Sequence, residues 1–212
     1  MTAIATMSTV EPKEPRVSPL RARILDAARR IVMREGIDML SMRKIADAIG
    51  YSAASLYLHF EGRDAIVRAL GREGFAQLLT RLEPCAEIEE PRTRLHALAH
   101  AYVAFGCAHP ETYRLMFLPA PLPERETPEA GMPPPDDDIA AITTLFADAF
   151  APVRADPALL ARAMWALLHG VVAFSLSGPA FGPESSHLPV IDAALDGWLD
   201  GRQGAGFKSE AG

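Results

Sequence analysis

Cysteine is nearly absent: Cys85 and Cys107 are the two in 212 residues, and they do not form a CxxC pair. That excludes a disulfide framework and a cysteine-based zinc set, and it fits a reducing compartment. No apolar run reaches the length needed to cross a bilayer. The opening MTAIATMSTVEPKEPRVSP lacks a basic leader followed by a hydrophobic stretch, so a cytoplasmic protein is expected. Strand-like alternation is missing too, and no internal repeat appears. Nor is there a nucleophile elbow, a phosphate loop, a paired-carboxylate site or a zinc motif, so an enzyme is not expected and no cofactor is implied.

Apolar residues make up 49% of the chain, enough to bury a sizeable core. The net charge of −6 argues against nucleic acid until it is divided by segment. Residues 19–82 hold eleven Lys/Arg against seven Asp/Glu, or +4, whereas residues 83–212 hold eight against eighteen, or −10. A basic first half can meet phosphates while an acidic remainder is repelled by them.

The run LSMRKIADAIGYSAASLYLHF, Leu40 to Phe60, reads as two short helices joined by a tight turn. Ser41 is a good N-cap, Ile45, Ala46 and Ile49 give an apolar stripe, and Gly50 supplies the turn. Ser52 can cap the second helix, whose Leu56 and Phe60, four apart, point to the core. This is the pattern of a helix-turn-helix.

The same residues, with Arg43, Lys44, Ser55, Tyr57 and His59, resemble the amino-terminal DNA-binding domain of TetR-type transcriptional regulators, over about Leu20 to Leu82. That resemblance implies that Ser55, Tyr57, His59 and Arg63 contact DNA, with His59 and Arg63 on phosphates. The second helix enters the major groove by its first half, so Ser52, Ala53, Ala54 and Leu58 also face the bases. Arg43 reaches towards a base edge and Lys44 towards the backbone. Leu58 either packs on thymine methyls or is partly buried against the first helix; His59 either meets DNA or bonds a helix-end carbonyl. Arg16, Arg21 and Arg23 are further candidates. Tyr51 departs from the aliphatic residue common at its place in the family.

Outside the motif, helices are expected over Pro19–Glu35, from Gly62 or Arg63 to Leu82, from Pro91 to about His109, from Pro110 through Phe117, from the aspartates 136–138 to Phe150, from Pro157 to Ser177, and over roughly Pro189–Leu199. Pro84 marks a boundary, and the proline-dense PAPLPERETPEAGMPPPDDD reads as a loop. The fold class is therefore all-α: a mobile arm at 1–18, a three-helix DNA-binding domain at 19–82, a helical regulatory and dimerisation domain at 83–201, and a tail at 202–212.

In the second half, MWALLHGVVAF (Met164–Phe174) and AYVAFGCAHPETYRLMF resemble the WHG type of TetR regulatory domain. The resemblance implies a homodimer formed by the last two helices, a palindromic operator and a small-molecule inducer. Gly170 either lets a partner helix approach closely, as at a subunit interface, or relieves crowding inside one monomer. Candidate ligand residues are Tyr102, Phe105, Met116, Phe117, Trp165 and His169, a mostly apolar set. His96 and His100 stand four apart, a spacing that can chelate a metal. With no acid or cysteine in register, no metal site is expected there. The reading is a DNA-binding regulator, a repressor released by a largely apolar ligand, with activation or the absence of a small ligand as the alternative.

Overall fold

The computed structural model describes residues 18–117, 137–177 and 187–200. The expected arm up to residue 17, Arg16, the proline-dense loop, Gly178 and the tail from 202 lie outside the described residues. Among the described residues the regular structure is helical, with no strand: α1 (Pro19–Glu35), a 3-10 turn (Ile37–Met39), α2 (Met42–Ile49), α3 (Ala53–Tyr57), α4 (Arg63–Ala86), α5 (Pro91–Ala108), α6 (Pro110–Met116), α7 (Asp137–Phe150), α8 (Pro157–Ser177) and α9 (Leu188–Asp200). Two compact units divide between Ile66 and Val67, inside α4.

Unit 1 is built on α1, which packs against the 3-10 turn and α2, while α2 packs on α3. Ile24, Leu25, Ala28 and Ile31 form the inward stripe of α1, as their spacing predicts. Ile45, Ala46, Leu56 and Phe60 of the same unit are buried too. Ser41 Oγ accepts from the Lys44 N–H and Ser52 Oγ from the Ser55 N–H, so both caps form as expected. Gly50 closes α2 at φ 73°, ψ 35°, the left-handed conformation that a side chain disfavours.

Unit 2 is organised around α5, which packs on α6, α7, α8 and α9, while α7 and α8 lie against each other. Pro91 opens α5, and the Glu90 carboxylate caps it by accepting from the Arg92 and Thr93 N–H groups. Asp156 likewise accepts from the Leu159 N–H at the start of α8, just ahead of Pro157. The core includes Leu95, Leu98, Tyr102, Ile142, Phe146, Phe150, Met164, Leu168 and Leu195. Arg154, between α7 and α8, donates to the Trp198 and Leu199 carbonyls at the end of α9. Those carbonyls have no partner within their own helix, so a cation there both bonds and neutralises.

Two expectations need correction. Pro84 does not end α4, which runs on to Ala86. A proline in the last turn removes one backbone bond, and the helix tolerates it there. Second, α8 is long and apolar enough to cross a membrane by length and composition, with mean hydropathy 1.6 over its apolar window. In this fold its Ala161, Met164, Leu168, Val171 and Val172 are buried among the helices of unit 2. At Gly170 a Cβ would meet no atom of the described residues within 4 Å, so this glycine relieves no crowding among them. The tight crossing is at Gly106 of α5, where a Cβ would lie 2.5 Å from Val172 Cγ1 of α8.

Candidate nucleic-acid interface and effector site

In unit 1 the motif buries one side of α3 and exposes the other. Leu56 is fully buried and Phe60 is 5% exposed, whereas Tyr57 is 55% and Leu58 84% exposed. Leu58 is therefore not packed on α1, and of the two readings the sequence leaves open only the outward one survives. Ala54 is exposed beside them, Ala53, Ser55 and His59 are half-buried, and Ser52 is exposed at the cap. The Ser52 and Ser55 hydroxyls lie 2.9 Å apart, so the front of α3 is small, polar and preorganised by its own cap. An apolar side chain held in water next to a tyrosine costs hydration free energy unless something covers it.

The cations around this face differ in how they are used. Arg43 is 91% exposed, with its nearest carboxylate, Asp47, at 4.0 Å. Lys44 is paired with Glu35, and that contact, set against slight burial, holds the Glu35 carboxyl below its ordinary value. Arg23 donates to the Ile49 carbonyl at 3.1 Å and to the Tyr51 hydroxyl at 3.3 Å, and its guanidinium lies over the Tyr51 ring. Tyr51, unusual at its place, thus has a partner that ties α1 to the end of α2. Arg21 lies over the Phe60 ring, 4.2 Å from its centroid. Arg63 faces inward: Nε donates to the Leu40 carbonyl at 3.0 Å and Nη2 to that of Ile37 at 2.9 Å. The 3-10 turn that supplies these carbonyls is not predicted by the sequence, so the positioning role of Arg63 could not be read there.

In unit 2 four of the six candidate ligand residues come together with a seventh. Tyr102 is fully buried, and its hydroxyl lies 3.0 Å from that of Tyr113, which lies 2.9 Å from His169 Nδ1. Phe117 packs on His169 with centroids 4.4 Å apart, and Trp165 stacks on the same imidazole at 5.9 Å. Burial pushes the Tyr102 hydroxyl up to about 12, against its bond with Tyr113 and the approach of the Trp165 N–H. Burial also raises Tyr113 and lowers His169. A neutral His169 can accept at Nδ1 from Tyr113, whose oxygen then accepts from Tyr102, giving one consistent direction along the chain. Trp165 Nε1 is buried near the Tyr102 hydroxyl but makes no full hydrogen bond. Such a donor is costly unless an acceptor meets it.

Phe105 and Met116 are elsewhere. Met116 lies against Gly74 of α4, and Phe105, packed on His109, lines a cleft of about 290 Å³ with Arg81, Ala101, Ala104 and Ala108. Tyr113 is the residue that the candidate set lacks. Its place three residues from Met116 and four from Phe117 could have suggested it.

Two family models match the chain. That of the tetR family of bacterial regulatory proteins covers residues 24–70, and that of the tetracyclin repressor-like C-terminal domain covers residues 95–197. The HTH-type transcriptional regulator YobS of Bacillus subtilis is 29% identical over 104 residues, 49% of this chain and 54% of YobS. The HTH-type transcriptional repressor Rv1474c of Mycobacterium tuberculosis is 38% identical over 60 residues, 28% of this chain and 32% of the repressor. The chain thus spans about half the length of YobS and about a third of that of Rv1474c. A solved structure of a protein with unknown function from Rhodococcus sp. RHA1 is 27% identical, with TM-score 0.65 over 90% of this chain and 98% of that one. The helix-turn-helix of unit 1 and the helical unit 2 each fall within one of the two family models, and the chain belongs to the tetR family of bacterial regulatory proteins.

Proposed function

We propose that this protein is a DNA-binding transcriptional repressor that holds a palindromic operator as a homodimer and is released when a small, largely apolar ligand enters unit 2. The observation that carries the reading is the outward face of α3, where Leu58 and Tyr57 stand exposed above a buried Leu56 and Phe60. A helix set into the major groove needs that division, and thymine methyls are natural partners for Leu58 and Ala54. Arg43, Lys44, Ser52, Ala53, Ser55, His59 and Arg63 complete the face, with Arg63 acting by holding the turn ahead of α2. The name of the relative Rv1474c supports repression, and the alternative is activation or regulation without a small ligand.

Dimerisation is supported by apolar side chains exposed on α8 and α9, Leu159 at 53% and Val190 at 44%. A two-fold pairing of such faces matches a palindromic site. For the ligand, Phe117, Trp165 and His169 are half-buried rings over the Tyr102–Tyr113 pair, and the Trp165 N–H offers one donor to an acceptor-bearing apolar molecule. Release then requires that the ligand favour one of two conformations of the dimer.

Selection of sites from a randomised duplex library, followed by mobility shift, tests the DNA reading. A symmetric consensus bound at a stoichiometry of two chains is expected, and Leu58→Asp should abolish its binding without altering the helical circular dichroism. A folded, dimeric protein that selects no sequence overturns it.

A further inference from the structure

His96 and His100 stand one turn apart on α5, and the acid that the sequence does not reveal arrives from α9, ninety-two positions beyond His100. Asp192 Oδ1 lies 2.8 Å from His96 Nδ1 and 2.7 Å from His100 Nε2. These donor atoms all fall within 4.8 Å of one another. His96 turns its other nitrogen, Nε2, to Asp196 Oδ1 at 3.3 Å. Asp196 and Asp200 are in turn paired with Arg92, one turn before His96.

We propose that His96, His100 and Asp192 form a binding site for a divalent transition-metal ion of the zinc class, which fastens α9 to α5. Two imidazoles and one carboxylate are a familiar donor set for zinc, with a fourth position left to water. That position is reachable, because the His100 and Asp192 side chains are 36% and 38% exposed. Three carboxylates against one guanidinium give the neighbourhood a charge of −2 with neutral imidazoles, which a divalent cation balances.

The proton arrangement fits as well. Without metal, both ring nitrogens that face Asp192 can donate to its Oδ1. With metal, each of those nitrogens must offer a lone pair, so the His96 proton has to move to Nε2. Asp196 already waits there as acceptor, the second carboxylate that commonly orients a metal-bound histidine. Donor atoms around a tetrahedral zinc lie about 3.3 Å apart, so each oxygen–nitrogen separation has to open by about half an ångström, while the two ring nitrogens, within 4.8 Å of each other, settle to the same spacing.

The site is independent of the DNA and effector readings, and its failure would leave both untouched. The test uses the full chain, stripped with chelator and titrated with zinc chloride against a chromophoric zinc indicator. One zinc per chain is expected, with affinity reduced at least about tenfold in His100→Ala and in Asp192→Asn and unchanged in His109→Ala. Zinc should raise the thermal unfolding midpoint of the parent chain and not that of the first two variants. Cobalt provides a reading that needs no variant: visible ligand-field bands of a four-coordinate nitrogen and oxygen site should appear at one equivalent. Equal zinc affinity in all four proteins, or no cobalt bands in the parent, would overturn the proposal.

Discussion

Arg63 Nε donates to the Leu40 carbonyl oxygen at 3.0 Å, and this bond sets the turn that leads into α2. A second bond, from Nη2 to the Ile37 carbonyl, locks the other side of the same turn. The guanidinium is therefore a brace for the helix-turn-helix as well as a positive charge near its edge. Arg63→Ala leaves the Leu40 carbonyl to water and the Ile37 carbonyl with its bond from the Leu40 N–H alone, and with a side chain 38% exposed the loss should come to about 1–2 kcal/mol. Tyr57→Ala, at a side chain exposed to solvent, should leave stability unchanged. Both variants should weaken operator binding, but only Arg63→Ala should lower the unfolding midpoint. Equal midpoints for the two would remove the bracing role.

The motif was legible because its residues do local work. Ser41, Gly50 and Ser52 act within four positions of themselves, and the 3.6-residue period marks Ile45, Leu56 and Phe60 as inward. The helix starts at Pro91, Pro110 and Pro157 were readable for the same reason, since proline at the first helical position is a local signal. What stayed hidden was long-range. Nothing near His96 or His100 announces Asp192, and nothing near Tyr102 announces that Tyr113 joins it to His169. Arg63 is read as a DNA contact from the family resemblance, and its bonds to the Leu40 and Ile37 carbonyls stayed hidden because the turn that it holds has no signature. Leu58 was undecidable until the neighbours of α3 were fixed. The role of Gly106 was equally hidden, because helix crossings are set by the partner surface, and nothing near Gly106 in the sequence announces Val172.

At Gly106 a methyl group would sit 2.5 Å from Val172 Cγ1, 2.8 Å from Cγ2 and 3.1 Å from Tyr113 Cδ2. Val172 is β-branched on a helix and has little freedom to turn away. Gly106→Ala gains helix propensity of about 1 kcal/mol, but overpacking of about 1–3 kcal/mol should outweigh it. The variant should melt at lower temperature than the parent. Val172→Ala in the same background removes both clashing methyls and should recover part of the loss. A Gly106→Ala protein as stable as the parent would mean that α5 and α8 do not cross this closely.

His169 gives unit 2 a pH dependence whose sign follows from its burial. Desolvation lowers its pKa below the ordinary 6.5, so the folded protein takes up its proton later than the unfolded chain does. Above 6.5 the imidazole is neutral in both states and costs nothing. Below 6.5 the unfolded chain binds more protons, and stability falls until the folded-state pKa is passed, after which the penalty levels off. Protonation would also deprive Tyr113 of its acceptor at Nδ1 and reverse the hydrogen-bond chain to Tyr102. Unfolding midpoints measured from pH 8 to pH 5 should therefore fall more steeply for the parent than for His169→Gln, with the curves diverging below 6.5. Curves that stay parallel throughout would show that this histidine is not held neutral by the fold.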